Sequence, residues 1–336
     1  ILGHNEAAHL DVFYNETNLN TALSLWQTVK YHTDLDIGGG FSVIFKDSGH
    51  ILGSSMVQFT YNGKRIMFTG DLGNSPSPLL MNTEVIADID YLIMESVYGD
   101  RNHESRSERR LLLQEVIQDN YKRGGTLVMP TFSLERTQEL LFEINNLVEN
   151  NRIPVMPIFL DSPLAIRLTA IYKQYENDYF NEAAKAIISS DDDIFTFPGL
   201  KVTLRTEESK EIMRTPDPKI IIAGSGMSSG GRVVHHERNY LPDPKNTILL
   251  TGYQTPGTLG RYIQEGQQTV RIMGESIPVR AKIVTIEGYS GHKDSDGLLN
   301  FVQDSSNTLK KVFVVMGEPK SALFLVQKLR DNLAID

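Results

Sequence analysis

The sequence predicts an α/β fold in which a group of strands joined by short turns precedes a parallel sheet with helices on its faces. Three observations carry this. Between residues 91 and 170, short apolar runs alternate with segments of helical period, the βαβα order that produces parallel strands. Between residues 41 and 69, strand-like runs follow one another with no helix between them. The chain has 336 residues, 40% of them hydrophobic, enough for one large domain or two medium ones with developed cores.

The first strands are expected at Phe41–Phe45, Met56–Tyr61 and Arg65–Thr69, with Asn62-Gly63 as the turn between the second and third. Tyr91–Met94 reads as a buried strand with Glu95 at its C-terminal end. Ser107–Arg123 is helical, with Leu111, Leu112, Val116 and Ile117 as its apolar positions and Gly124-Gly125 as its end. Thr126–Met129 is a strand, Thr137–Val148 a helix and Val155–Leu160 a strand. Ser162-Pro163 starts a helix, with proline at the first helical position. Residues 176–218 carry a weaker pattern, with Ser189–Asp193 as a loop or helix end. Strands return at Lys219–Ala223 and Thr247–Thr251, and Ile277–Ile286 alternates as a half-exposed strand should. Lys311–Met316 is the last strand, and a helix from Lys320 closes the chain.

Composition removes several functions. No apolar run reaches the ~18–20 residues of a membrane span. Ile1–Glu6 has no basic stretch leading into an apolar one, so it does not read as a signal peptide. The chain does not open on methionine, so Ile1 reads as something other than the native first residue. There is no cysteine, so a metal would have to be held by histidine and carboxylate, and a cytoplasmic protein is expected. The formal net charge of -9 weighs against nucleic-acid binding unless basic groups are gathered in one groove.

Four of the eight histidines lie in three loops of small, turn-forming residues: Asp47–Ser54 with His50, Gly230–His236 with His235 and His236, and Gly288–Asp294 with His292. Any one of them alone is equally an ordinary hydrogen-bonded loop residue. Asp71, flanked by Gly70 and Gly73 after a strand, suits a turn or a metal ligand. The run Gly224–Gly231 follows a strand and offers many backbone N–H groups. Through Ser225, Gly226, Ser228 and Ser229 it could cradle phosphate, although it matches neither a Walker A loop nor a dinucleotide fingerprint. Arg136 could clamp a phosphate or sit solvated in a first helical turn. Asp161-Ser162-Pro163-Leu164 reads first as an N-cap.

The order of these segments is more specific than any of them singly. Gly49–Ser54, Thr69–Gly73 and Met94–Gly99 together closely resemble the metallo-β-lactamase fold. Pro130–Ser133 with Arg136–Leu140, Asp161–Ala165, Gly224–Met227, Leu250–Gln254, Gly257–Arg261 and Ser290–Asp294 resemble its β-CASP nuclease branch. That branch includes bacterial and archaeal RNases and the endonuclease subunit of the pre-mRNA 3′-end machinery. The resemblance implies an αββα sandwich, partial in this chain, with an inserted β-CASP α/β domain. Residues 1–99 would be lactamase-type, 100–270 the insertion, and 271–336 the return to the sandwich.

The same resemblance implies a zinc-dependent ribonuclease with two zinc ions in the intact protein, acting as an endonuclease or also from a 5′ end. Single-stranded RNA would be the partner, and a homodimer is compatible with it. His50 would be a zinc ligand and Asp71 the carboxylate bridging two ions. Glu95 would be an acidic residue near the metals, and His292 the contact to the scissile phosphate and general acid. Ser225, Gly226, Ser228, Ser229, Arg136 and Ser162 would meet phosphate or RNA. Two departures qualify this expectation. The family's His-x-His-x-Asp-His motif is absent, as if the chain began after it, and His4 and His9 lack its spacing, so these residues alone are expected to be inactive. Met316 stands in Val-Met-Gly-Glu where RNA-processing members carry a histidine for the second zinc, and a thioether is a poor zinc ligand. A DNA nuclease of the same chemistry, or a non-catalytic RNA-binding scaffold, are the alternatives these departures raise.

Overall fold

The computed structural model describes residues 13–189, 193–333 and 335; His4, His9 and residues 190–192 lie outside them. In chain order the strands are β1 Leu35–Gly38, β2 Phe41–Asp47, β3 Ser55–Tyr61, β4 Lys64–Phe68, β5 Tyr91–Met94, β6 Thr126–Pro130 and β7 Ile158–Leu160. They continue as β8 Leu200–Val202, β9 Lys219–Ala223, β10 Thr247–Leu250, β11 Thr269–Ile272, β12 Glu275–Pro278, β13 Lys282–Thr285 and β14 Lys311–Val314. They form two six-stranded sheets, ordered β1-β2-β3-β4-β5-β14 and β13-β10-β6-β9-β7-β8, plus the hairpin β11-β12.

In the first sheet β1 to β4 form an antiparallel meander. The turn between β3 and β4 is Asn62-Gly63, both at positive φ (46° and 71°), the tight geometry that Asn-Gly favours. β4, β5 and β14 run parallel. One face of this sheet (Met56, Met67, Leu92, Met94) packs on Leu298, Phe301 and Val302 of helix Ser295–Gln303 and on Leu325 and Leu329 of helix Pro319–Leu333. The other face is more open, with Phe68 and Phe313 exposed.

The second sheet is parallel throughout and covered on both faces. That is why β6, β7, β9 and β10 read as unbroken apolar runs: every residue in them is buried. Helices Arg106–Arg123, Arg136–Glu149 and Pro163–Gln174 cover one face. Helix Val233–Tyr240 and the β11-β12 hairpin cover the other.

Three local expectations are corrected. The continuous strand at Ile277–Ile286 is two strands. Its middle residues bond elsewhere, Val279 N–H to Gln268 and Arg280 and Ala281 N–H to the Leu241 carbonyl, and β13 then joins the second sheet beside β10. The strand at Val155–Leu160 starts only at Ile158, since Pro157 has no N–H to give a ladder. Helix Arg106–Arg123 buries Val116 and Ile117 as expected, but it turns Leu111 outward and buries Arg109, Leu113 and Asn120 as well. Arg109 sets that rotation by donating to the Gly288 carbonyl at 2.5 Å and pairing with Glu143.

Candidate metal centre and its cleft

Three loops converge at one end of the first sheet. The loop after β2 carries His50 and is tied by its serines. Ser48 donates to Ser54 Oγ at 2.8 Å, and Ser54 Oγ accepts the N–H groups of His50 and Ile51 at 3.1 Å each. The turn after β4 carries Asp71, preceded by Gly70 at φ +54°. Gly73 of that turn lies directly on the first loop, its N–H donating to the Ser48 carbonyl at 2.8 Å. A Cβ on Gly73 would stand 2.0 Å from the Gly49 oxygen. The third loop carries His292, stitched to the second by Asn74 N–H to the Gly291 carbonyl (2.7 Å) and Lys293 N–H to the Leu72 carbonyl (2.9 Å).

This stitching gathers ligand-type atoms of His50, Asp71 and His292 within 4.8 Å of one another. His50 Nε2 is 3.8 Å from Asp71 Oδ2. His50 Nδ1 is 3.0 Å from the Gly291 carbonyl, which can only accept, so Nδ1 carries the hydrogen and Nε2 keeps its lone pair for the centre. His292 Nδ1 sits 3.0 Å from both oxygens of Glu95, leaving its Nε2 unassigned to Glu95. Glu95 is fully buried at the end of β5, and its Oε1 also accepts the Leu72 N–H at 2.5 Å.

The two imidazoles, 4.6 Å apart between ring centres, are pushed in opposite directions. Burial, then the neighbouring charge of His292, lowers the pKa of His50 against the pull of Asp71 and Glu95. Burial would lower His292 too, but the hydrogen bond to Glu95 and the charges of Glu95 and Asp71 outweigh it, and its pKa is raised. His292 therefore takes the shared proton first.

A cleft of about 360 Å³ opens over this cluster. Its far wall comes from the C-terminal ends of parallel strands, where open α/β sheets place their ligands: Phe132, Glu135 and Arg136 after β6, Gly226 and Met227 after β9, Tyr253 and Gln254 after β10. A larger groove of about 800 Å³ along the first turn of helix Arg106–Arg123 contains none of the three clustered residues.

Of the residues singled out in the sequence, His50, Asp71, His292, Arg136 and Gly226 line the cleft, and Glu95 stands behind His292. Ser225, Ser228, Ser229 and Ser162 do not line it. The Ser228 hydroxyl is turned inward to Glu237 Oε1 (2.5 Å), because residue 228 takes φ +55° and is buried. Ser225 Oγ accepts the Ser229 N–H at 3.0 Å, closing the loop on itself. Ser162 is the N-cap its sequence suggests, accepting the Ala165 N–H. His236 is spent on buried Asp161 at 2.7 Å, which also accepts from Arg232, Thr203 and Ser209. Met316 is exposed at φ +64° and is not among the residues lining the cleft.

Among the cleft residues that carried no assignment in the sequence are Phe132 and Glu135, both in the Pro130–Arg136 segment. Phe132 is half exposed into the cleft. Glu135 is buried at φ +60°, a strained angle for a residue with a side chain. Burial pushes its carboxyl up to about 7, against Tyr172, which donates to it at 2.5 Å, and Arg136. Burial and the nearby Arg109 bring Arg136 down to about 10, so it keeps its charge at neutral pH, where it lines the cleft while paired with Glu139.

Comparison with known families agrees with this geometry. A family model described as the Beta-Casp domain matches residues 137–263, and one described as the Zn-dependent metallo-hydrolase RNA specificity domain matches residues 276–336. The chain is 35% identical over 313 residues to Ribonuclease TTHA0252 of Thermus thermophilus, covering 93% of this chain and 71% of that protein. It is 32% identical over 334 residues to an RNase J-like protein of Methanocaldococcus jannaschii, covering 98% and 76%. It is also 31% identical over 337 residues to the transcription termination factor FttA of Pyrococcus horikoshii, where it spans 97% of itself and 51% of the factor. Among the described residues no helix is long and apolar enough to cross a membrane.

Proposed function

Because this chain belongs to the β-CASP branch of the metallo-β-lactamase hydrolases, we propose that it is the catalytic body of a zinc-dependent ribonuclease, with its centre at His50, Asp71 and His292. The observation that carries this reading is the convergence of those three ligand-type groups, within 4.8 Å, on the floor of a cleft walled by Arg136. The donor set suits zinc: one imidazole with a free Nε2 oriented by a backbone carbonyl, and a carboxylate open enough to bridge a second ion. When bound, zinc would lower the pKa of an attacking water and stabilise charge on the phosphate.

The chain's own groups divide the remaining work. His50 and Asp71 would hold the metal. Glu95 aims His292 through Nδ1 and favours its protonated form, so Nε2 can give a proton to the leaving oxygen. Arg136 sits beside Gly291, fixed by its burial, and faces the phosphate as a permanent cation. Met316 leaves a second ion to draw its other ligands from elsewhere.

The test offers zinc-loaded full-length protein labelled single strands of RNA and of DNA with the same sequence. RNA should be cut and DNA spared, and His292→Ala should slow cutting by about 100-fold or more while zinc stays bound. Equal cutting of DNA would overturn the RNA assignment. RNA bound tightly but left intact by the zinc-loaded protein would favour the scaffold reading, which Met316 supports.

A further inference from the structure

Resting on the ribonuclease reading, we propose that Phe132 is a stacking platform for a nucleobase, holding the base next to the phosphate bound at the His50–Asp71–His292 centre. Phe132 is 49% exposed although Pro130 and Thr131, directly before it, are buried. It is not part of the buried hydrophobic cores. Its surface opens into the cleft that also contains the cluster and Arg136.

The ring is not free to move aside. Its Cδ2–Cε2 edge lies against Gly226, where an added Cβ would stand 2.7 and 2.9 Å from those two atoms. Its backbone is fastened on both sides, by Thr131 N–H to the Ala223 carbonyl at 2.9 Å and by Thr137 Oγ1 donating to the Phe132 carbonyl at 2.7 Å. A single exposed aromatic is ordinary on a protein surface, but this one opens into the cleft that holds the ligand-type cluster. Beside a phosphate-binding centre, the flat partner of matching chemistry is a base. A phenyl ring has no hydrogen-bonding group, so it accepts any base and reads no sequence. Gly226 thereby gains a role apart from phosphate binding, since any side chain there would displace the ring.

The experiment measures binding without zinc, by the chain in the presence of chelator, to short single-stranded oligoribonucleotides carrying 2-aminopurine or an abasic residue at successive positions. One position should be quenched on binding. There Phe132→Ala and Phe132→Leu should abolish quenching and weaken binding roughly 5- to 150-fold, the range for one stacked base, while Phe132→Tyr should preserve both. An abasic residue at that position should weaken the unaltered protein by the same factor and leave Phe132→Ala unaffected. Phe132→Leu keeps the apolar bulk, so its loss of quenching separates stacking from collapse of the loop. Equal abasic penalties in the unaltered protein and Phe132→Ala would overturn the platform while leaving the ribonuclease reading intact. Failure of the unaltered protein to bind any oligoribonucleotide would overturn the reading itself and the platform with it.

Discussion

His50 and His292 are the same residue type in one cluster, and their second nitrogens decide what each can do. The Gly291 carbonyl leaves the Nε2 lone pair of His50 free, and Glu95 raises the pKa of His292. In the metal-free chain the His292 ring should titrate above the ordinary histidine range. Glu95→Gln, which removes the charge but not the shape, should bring that titration down, as read by imidazole nitrogen shifts in NMR; an unmoved titration would show that Glu95 does not govern it. His50→Ala and Asp71→Asn should each reduce zinc affinity by about 10-fold or more in competition with a chelating dye. A second buried acid acts on stability. Glu237 has Ser228 Oγ as its hydrogen-bond donor, and burial raises its carboxyl to about 8 from an unfolded value of 4.5. The folded state therefore favours the protonated acid. That contribution is complete below pH 4.5 and is lost as pH rises through about 8. Glu237→Gln should match the unaltered protein in urea at pH 5 and exceed it at pH 9, by on the order of 4 kcal/mol.

The centre is assembled from loops whose backbones touch, and glycines make the contact. Gly73→Ala would drive a Cβ to 2.0 Å from the Gly49 oxygen and 2.8 Å from the His50 nitrogen, atoms of a backbone that cannot rotate away. The two metal-bearing loops must separate, so stability should fall by roughly 1–3 kcal/mol and zinc affinity should fall with it. Gly53→Ala is the contrast. It lies in the His50 loop at φ +80° with nothing within 4 Å, so it should cost only about 1 kcal/mol of backbone strain and leave zinc affinity nearly unchanged. Equal losses of zinc affinity in the two variants would refute this account. The buried strands and the order of their loops were legible in the sequence because β6, β7, β9 and β10 lie between helical layers and need apolar residues throughout. The break at residues 279–281 was not, since it depends on acceptors at Gln268 and Leu241 that sequence spacing cannot reveal. Asp71 and His292 were legible as short motifs. That the Ser228 hydroxyl finds Glu237 nine residues on has no local signal, and Phe132 and Glu135 gain their places only when β6 meets the rest of the cleft.

At the scale of the molecule, the cleft exists because two sheets with separate cores face each other across it. The chain crosses between them before β6 and again between β13 and β14. A side-chain bridge also spans the gap: Tyr253, after β10, donates its hydroxyl to Glu318, after β14, at 2.8 Å, and Arg261 lies 3.5 Å from the same oxygen. Burial, and then Glu318, pushes the Tyr253 hydroxyl up to about 12, so it stays a donor through neutral pH. Tyr253 also lines the cleft, so the bridge sets how far the two walls stand apart. Tyr253→Phe removes the bond and keeps the ring. An exposed bridge contributes little to global stability, about 0.5–1 kcal/mol, so the denaturation midpoint should barely move. The local consequence should be larger. Amides of residues 316–320 and 253–258 should exchange hydrogen several-fold faster in mass spectrometry, while β6 and β9, buried in the second core, keep their protection. Unchanged exchange on both sides of the cleft would mean that other contacts, such as Leu52 N–H to the Tyr172 hydroxyl and Asn181 N–H to the Leu79 carbonyl, set the spacing of its walls.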